Sequence, residues 1–431
     1  GSPIGALLNL HIDQKYLQWI IIISVPLVAV AIFCKKDFGA ISAVENLSQK
    51  GLIVISVLIG FVIGMYDGFF GPGTGTFLML GFTVFARFDL LTASGNAKII
   101  NLSSNIAALK TMAGVRKDEY TQIFTELEAV AKVQSIKSSN AIEGIVTSDE
   151  RIAAIVNQNS TPLNHNEAEI AGYRDALNEI HLGYEHIDFR QSDILRLHEI
   201  MMSFAGYEYG GQYKTDDNVI LEIDADGNRR VRFRPTPASE TSKAMEQLEL
   251  AYLDARSDAN INQLLLIPCV ILDFLCIHPF RDGNGRMSRL LSLLLLYKNG
   301  FDAGKYVSFE EQINNYKAYY YEALRQSSEG WETNENSYFP FIENFLSTLY
   351  MCYKELDKRF AVVHGKKITK KARVEATVLN SLTPLSKAEI CKILPDVSPT
   401  TVEAVLGAMV KTGSVKRIGA GRTTRYIKMY G

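Results

Sequence analysis

Cysteine is scarce in this chain and carries no pattern. The five residues at 34, 269, 276, 352 and 391 form no Cys-x-x-Cys pair and lie mostly in apolar runs. That argues against a cysteine metal centre or a disulfide framework and for buried, reduced thiols. Net charge is nearly absent as well, with 45 Lys and Arg against 47 Asp and Glu. Such a balance excludes global steering toward nucleic acid or an anionic membrane, so those partners must be sought in local patches. The chain also lacks an initial methionine and opens Gly-Ser, as expected of a processed form or a fragment. Its 431 residues suggest about two to four domains.

Charge is missing most visibly from the first third. Residues 16–34 form a nearly uncharged apolar run, 51–70 form a second broken only by Asp67, and 74–86 form a shorter third. At ~20 residues per span, the first two are long enough to cross a bilayer, while the third suits a tilted or re-entrant segment. The first is too long for a typical signal peptide. Lys35, Lys36 and Lys50 crowd the loop between the first two runs. The positive-inside rule puts that loop in the cytoplasm, with Arg87 on the same side if the third run crosses.

What is present in quantity is polar chemistry packed into residues 278–289: His278-Pro279-Phe280-Arg281-Asp282-Gly283-Asn284-Gly285-Arg286-Met287-Ser288-Arg289. Apolar runs at 264–277 and 290–297 flank it and read as buried helices. Pro279 and Gly283 stop the first helix, and Asn284 or Gly283 caps the second. The loop then sits at a helix N-terminus, where free N–H groups and the dipole favour an anion. Gly283 and Gly285 let the backbone approach a ligand closely. Arg286 and Arg289, one turn apart, supply forks for phosphate oxygens. Asp282 is a hard oxygen ligand of the kind Mg²⁺ accepts beside phosphates. His278, titrating near neutrality, is the natural general base. These residues describe a nucleotide-phosphate site with a base and a metal ligand.

The string His-Pro-Phe-x-Asp-Gly-Asn-Gly-Arg-x-x-Arg resembles the signature of the Fic (Fido) family of nucleotidyltransferases, with nine of its twelve positions specified. The resemblance implies ATP and Mg²⁺ as cofactors and transfer of AMP to a Ser, Thr or Tyr hydroxyl of a protein. In that scheme His278 deprotonates the hydroxyl and Asp282 holds Mg²⁺ on the α- and β-phosphates. Gly283, Asn284 and Gly285 cradle the phosphates, and Arg286 neutralises charge as pyrophosphate leaves. Upstream, Ser139-x-x-x-Glu143-Gly144 is similar to the family's inhibitory motif. Ser139 and Glu143 share one helix face, and Gly144 lets the helix end. The resemblance implies that Glu143 pairs with Arg289, in the place the γ-phosphate needs. Tyr321, in Tyr319-Tyr320-Tyr321-Glu322-Ala323-Leu324, resembles a tyrosine near the family's adenine pocket.

In the first third, residues 66–76 (Tyr-Asp-Gly-Phe-Phe-Gly-Pro-Gly-Thr-Gly-Thr) and 97–105 (Ala-Lys-Ile-Ile-Asn-Leu-Ser-Ser-Asn) resemble the TauE/SafE membrane permeases. A Gly/Pro-interrupted apolar segment is what broken-helix transport sites look like, but such a site needs a partner repeat. Transport by this chain alone is therefore not expected, and the segment at 1–113 is read as an anchor or as the product of a gene-level fusion.

From 115 onward the chain reads as mostly helical. Amphipathic stretches cover 121–136, 167–183 and 193–203, and strands at 219–223 and 230–233 flank a turn-rich 224–228. A hairpin there resembles the Fic flap, which clamps a target peptide by strand addition. Lys214 stands where the family often has Arg, keeping the charge and losing the fork. A helix at 339–360 closes this part, and a basic linker follows. Helices at 373–381, 386–393 and 398–411 with strands at 415–418 and 425–429 look like a winged helix-turn-helix. From Lys366 onward there are thirteen Lys and Arg against four Asp and Glu, which suits DNA contact by the 398–411 helix and the Arg422 wing. Protein interaction or dimerisation is the alternative, since Thr400, Thr401 and Glu403 are a poor base-reading set.

The expected architecture is mainly α: N-terminal transmembrane helices at 1–113, a Fic N-terminal region with an inhibitory helix at 114–210, a Fic catalytic core with a hairpin flap at 211–360, and a winged helix at 372–431. The expected activity is protein adenylylation restrained by Glu143, in a cytoplasmic catalytic part anchored to a membrane. Alternatives are removal of AMP from a modified protein, with Glu143 aligning water, and a DNA-binding regulator with a self-modifying core. Expected partners are ATP, a target protein or the chain itself, DNA at the C-terminal module, the membrane, and a second copy in a homodimer.

Overall fold

The computed structural model describes residues 4, 48–69, 74–223, 229–364, 370–379, 384–394, 397–419, 421 and 424–428. The expected span at 16–34, Lys35 and Lys36, the hairpin turn at 224–228, the linker at 365–369 and Arg422 lie outside the described residues.

Helix α1 (Gln49–Phe69) stands where the second span was expected. Among the described residues it is the one helix long and apolar enough to cross a membrane. Ile53, Val54, Val57, Leu58, Phe61 and Val62 all remain exposed along it. A core helix of a soluble protein hides such a face, so this stripe calls for a lipid or protein partner. Helix α2 (Thr74–Val84) has 11 residues. At 1.5 Å per residue it rises about 16 Å, roughly half the hydrocarbon thickness, and cannot cross by itself.

Helix α3 (Leu90–Glu119) begins at an Asp89 cap, whose carboxylate accepts from the Thr92 N–H at 2.9 Å. It runs unbroken through residue 113, where a domain boundary was expected. Its two ends serve two cores. Ala93 and Ala97 pack with Ile59, Leu78 and Phe82 of the N-terminal helices. Ile99, Leu102, Ile106, Leu109 and Ala113, spaced by threes and fours, join the main core instead.

The main core contains α4 (Thr121–Ile142), α5 (Asp149–Gln158), α6 (His165–Gly183), α7 (Gln191–Met202), the antiparallel hairpin β1 (Ile220–Ile223) and β2 (Arg229–Phe233), α8 (Ala238–Ser257), α9 (Gln263–Ile277), α10 (Asn284–Lys298), α11 (Phe309–Asn315), α12 (Lys317–Ser328) and α13 (Phe339–His364). At its centre α9 packs on α10, with α6, α8 and α13 around them. Helix α9 and the 290–297 part of α10 are apolar on nearly every side, which is the pattern of a helix with no solvent face. Helix α10 begins at Asn284 with Gly283 in the N-cap place, one of the two caps expected, and the apolar run from 290 is its continuation.

Helix α3 lies along α13. Lys98–Glu343 and Arg116–Asp357 ion pairs decorate the contact, and Lys117 pairs with Asp302 in the turn after α10. These pairs are largely exposed, and such pairs contribute about 0–1 kcal/mol each. Ile106, fully buried, outweighs them at about 1.5–3 kcal/mol. A fragment beginning at 114 loses that whole stripe. It is expected to melt well below a fragment beginning at 90 in thermal unfolding, and equal melting temperatures would show that α3 is no part of the core.

The C-terminal elements are α14 (Lys370–Leu379), β3 (Leu385–Ser386), α15 (Lys387–Ile393), α16 (Pro399–Lys411), β4 (Val415–Ile418) and β5 (Arg425–Lys428). The sheet order is β3-β5-β4, antiparallel throughout. Val374, Ile390, Val402, Leu406, Met409 and Val415 form a core separate from the main one. Ser386 and Glu389 make a reciprocal capping box at the start of α15.

Candidate active site

Helix α9 ends at Ile277, and His278 caps it in the left-handed region with φ 52°. That turn sends residues 278–283 back across the helix end. His278 Nδ1 donates to the Leu275 carbonyl at 3.3 Å, which leaves Nε2 as the lone-pair nitrogen. Enclosure by the surrounding protein pushes the imidazole down to about 4, so it is neutral near pH 7.

Gly283 precedes α10 with φ 81°, and a Cβ there would lie 2.6 Å from Met201 Cε. Asn284 does not cap α10. Its side chain clasps the backbone of Phe280, donating to the carbonyl at 2.7 Å and accepting from the N–H at 2.9 Å. The loop is thereby stapled to the helix start, and the Asn284 main chain is what remains at the N-terminus.

Arg289 is buried, with a side chain 2% exposed. Its Nε donates to Ser139 Oγ at 2.8 Å, and Nη2 donates to the Ser139 carbonyl at 2.9 Å and to Glu143 Oε1 at 2.7 Å. Helix α4 thus meets α10 through the two residues that sequence spacing had put on one face. Glu143 caps α4 with its side chain one third exposed, and Gly144 follows at φ 80°. A Cβ on Gly285 would collide with the Glu143 carboxylate. Tyr321 is half-buried against Tyr320, with burial pushing its phenol up to about 12.

A cavity of about 350 Å³ opens here, lined by Glu143, Ile145, Glu169, His278, Arg281, Asp282, Gly283, Asn284, Gly285 and Arg286. Tyr321 stands outside this lining. The Asp282 side chain is half exposed, accepts from the Gly283 N–H at 2.6 Å and lies 3.9 Å from Arg286 Nη2. Among the described residues no group of three or more His, Cys, Asp or Glu stands ready for a metal. A single carboxylate on the wall of this cavity suits Mg²⁺, a cation that keeps its waters and shares its ligands with substrate phosphates.

Several supports of the loop have no sequence signature. Glu169 on α6 meets Arg286 at 2.6 Å with both side chains buried. His198 on α7 stacks flat on Phe280, ring centroids 3.7 Å apart. Its Nδ1 accepts from the Gly211 N–H at 3.0 Å and its Nε2 donates to the Asp282 carbonyl at 3.1 Å, which assigns its tautomer. Lys214 is buried and donates to the Ile277 carbonyl at 3.2 Å, while its N–H donates to the Pro279 carbonyl at 2.9 Å. It grips the chain on both sides of His278, and burial pulls its ammonium down to about 8. Lys317 donates to the Ile142 carbonyl at 2.6 Å, fastening the end of α4. Only Lys214 was conspicuous in the sequence, as a lysine in an arginine's place.

Comparison with known proteins divides the chain in two. Residues 1–124 match the family model for the sulfite exporter TauE/SafE. A probable membrane transporter of Sinorhizobium sp. is 36% identical over 110 residues, covering 25% of this chain and 40% of the relative. The chain thus spans well under half the length of the transporters it matches. Residues 188–296 match the Fic/DOC family model. A protein adenylyltransferase of Caenorhabditis elegans is 29% identical over 122 residues, 28% of this chain and 22% of that protein. A crystal structure of a Fic family protein from Desulfovibrio desulfuricans superposes with TM-score 0.51 at 20% identity, covering 77% of this chain and 96% of that one, a likeness of fold. A Fido domain-containing protein of Dictyostelium discoideum is 30% identical over 137 residues, 31% of this chain and 94% of the relative. With nearly the whole of that protein covered and the signature folded around one cavity, this chain belongs to the Fic (Fido) family, joined to an N-terminal stretch of TauE/SafE type.

Proposed function

We propose that the chain transfers AMP from ATP to a hydroxyl of a protein. The observation that carries this reading is the neutral His278, its Nδ1 tied to Leu275 and Nε2 left free beside a cavity at the N-terminus of α10. The relative named as a protein adenylyltransferase supports the same reaction. His278 Nε2 takes the proton of the target hydroxyl, whose oxygen bonds the α-phosphorus while the bond to the β-phosphate oxygen breaks and pyrophosphate leaves. The N–H groups at the start of α10 and the guanidinium groups of Arg286 and Arg289 hold the phosphate oxygens. Asp282 would hold Mg²⁺, which supplies charge neutralisation on the phosphates when bound. Positioning and electrostatics dominate such phosphate chemistry. Tyr321 is retained as an adenine-side residue on the Tyr320 edge of the site.

Glu143 restrains this reaction by occupying Arg289. The catalytic part faces the cytoplasm, where ATP is found, and α1 holds it at a membrane. For the C-terminal module we favour protein contact over DNA. The exposed residues of α16 are Pro399, Thr400, Glu403, Ala404, Gly407, Ala408, Val410 and Lys411, with donors at the two ends alone, and Glu403 is already paired with Lys387. A face so poor in donors reads base edges badly.

The experiment is intact mass of the purified chain, with and without a mixture of candidate targets, after incubation with ATP and Mg²⁺. Gain of one AMP on the chain or on a target is expected. No mass change on any protein with the Glu143→Gly variant overturns the reading.

A further inference from the structure

Both signature arginines meet a carboxylate, yet the two contacts differ in kind. Glu143 sits at the end of α4, one third exposed, and directs its oxygen at an Arg289 N–H. Glu169 sits within α6, is 6% exposed, and is held from behind. Its Oε1 lies 2.9 Å from His165 Nε2 and accepts from Tyr207 Oη at 3.5 Å, and those two side chains are 2.6 Å apart. Its other oxygen approaches Arg286 Nη1 to 2.6 Å without the alignment of a hydrogen bond. Arg286 Nε has no acceptor and Nη1 has only this ion-pair contact, both atoms being shut away from solvent. Nη2 is the Arg286 nitrogen outside that buried set, 3.9 Å from Asp282 at the cavity.

We propose that Glu169 is the positioning residue for Arg286. It offsets the guanidinium charge and holds the group from its buried Nη1 side, leaving Nη2 for phosphate oxygens. The inference rests on reading the cavity as a nucleotide-phosphate site. Around the cavity Glu143, Glu169 and Asp282 offset Arg281, Arg286 and Arg289, His278 is neutral, and Lys214 beside it has Asp217 as its own counter-charge. A free nucleotide phosphate finds donors of the right direction but no surplus of positive charge. Its own charge has to be matched by a divalent cation entering with it. Without Glu169, Arg286 keeps only the looser Asp282 contact at 3.9 Å and carries excess positive charge in a partly dry site. It then attracts bare phosphate and follows it, instead of waiting in place for the transition state.

The test uses the full chain in detergent micelles, with ADP free of divalent cations as the binding probe and isothermal titration as the readout. Glu169→Gln, equal in size and uncharged, is expected to tighten metal-free ADP binding about tenfold, the scale of one charge at close range. In an Arg286→Ala background the same substitution is expected to change nothing, because its effect runs through that arginine. AMP transfer measured in the Glu143→Gly background should fall at least about tenfold with Glu169→Gln, with KM for ATP lowered or unchanged. Glu169→Asp should recover part of the turnover, and a melting curve for each variant separates misfolding from this effect. Unaltered ADP affinity, or equal shifts with and without Arg286, overturns the proposal. ADP affinities that obey the cycle while no variant transfers AMP would leave Glu169 as the positioning residue and overturn the transfer reading.

Discussion

His278→Ala abolishes AMP transfer and leaves nucleotide binding intact. In the proposed reaction the base acts on the incoming hydroxyl, whereas the phosphates are held by the α10 N-terminus and the arginines, so the two functions separate cleanly. A positioned general base accounts for about 10²–10⁴-fold in rate, and the loss should be of that order with ATP affinity altered little. The pH profile carries a second expectation. Enclosure depresses the imidazole from 6.5 to about 4. A depressed base is already deprotonated above its ordinary value and becomes charged only as pH falls through about 4. The acid limb of the transfer rate should therefore lie near 4, in place of the 6–7 of an ordinary histidine. The same sign governs stability. His278 and His198, both pulled down to about 4 by burial, contribute stability above about 6.5 that is lost as pH falls toward 4. Transfer by the alanine variant at the wild-type rate would remove His278 from the mechanism.

Glu143→Gly raises AMP transfer, even though deleting a carboxylate from an active site ordinarily harms it. Arg289 now spends two N–H directions on Ser139 and one on Glu143. The Glu143 oxygen also lies against Gly285 at the mouth of the phosphate cradle. Removing it frees one arginine donor and the space over Gly285, without disturbing the Ser139 contacts that keep the arginine in place. A hydrogen bond to a charged group is worth about 1.5–3 kcal/mol, so a gain of roughly ten- to a hundredfold is expected. Arg289→Ala lowers transfer, and Glu143→Gly does not rescue it, since the arginine itself receives the γ-phosphate. Radiolabelled ATP with the four proteins side by side measures this. A surface glutamate predicts no change, and a glutamate needed for forward transfer predicts a fall; either result would sink the inhibitory reading.

Much of the site was legible because its residues are consecutive. Residues 278–289 meet one another through one turn and one helix start, and their spacing alone brings base, glycines and arginines together. Ser139 and Glu143 were legible for the same local reason, four residues apart on a helix. The stripe Ile99, Leu102, Ile106, Leu109 and Ala113 was equally regular, yet it went unread because the resemblance to a membrane permease covered the same residues. Its spacing by threes and fours marks α3 as a helix with a buried face, and the burial proved to be against α13.

The sequence by itself determined a mainly helical chain, the Fic signature at 278–289, the spacing of Ser139 and Glu143, and an apolar first third of TauE/SafE type. These are properties of short segments, set by periodicity, glycine placement and residue chemistry within a turn or two. Tertiary structure alone decided what each side chain faces. Asn284 turned out to staple Phe280 rather than cap a helix, and His198, Lys214 and Lys317 proved to brace the loop and α4 from elsewhere in the chain. Glu169 is the clearest case. Nothing in a glutamate on an amphipathic helix announces a buried guanidinium 2.6 Å away. The partner of a buried charge is set by how helices pack, and that packing depends on long-range contacts that no local pattern encodes.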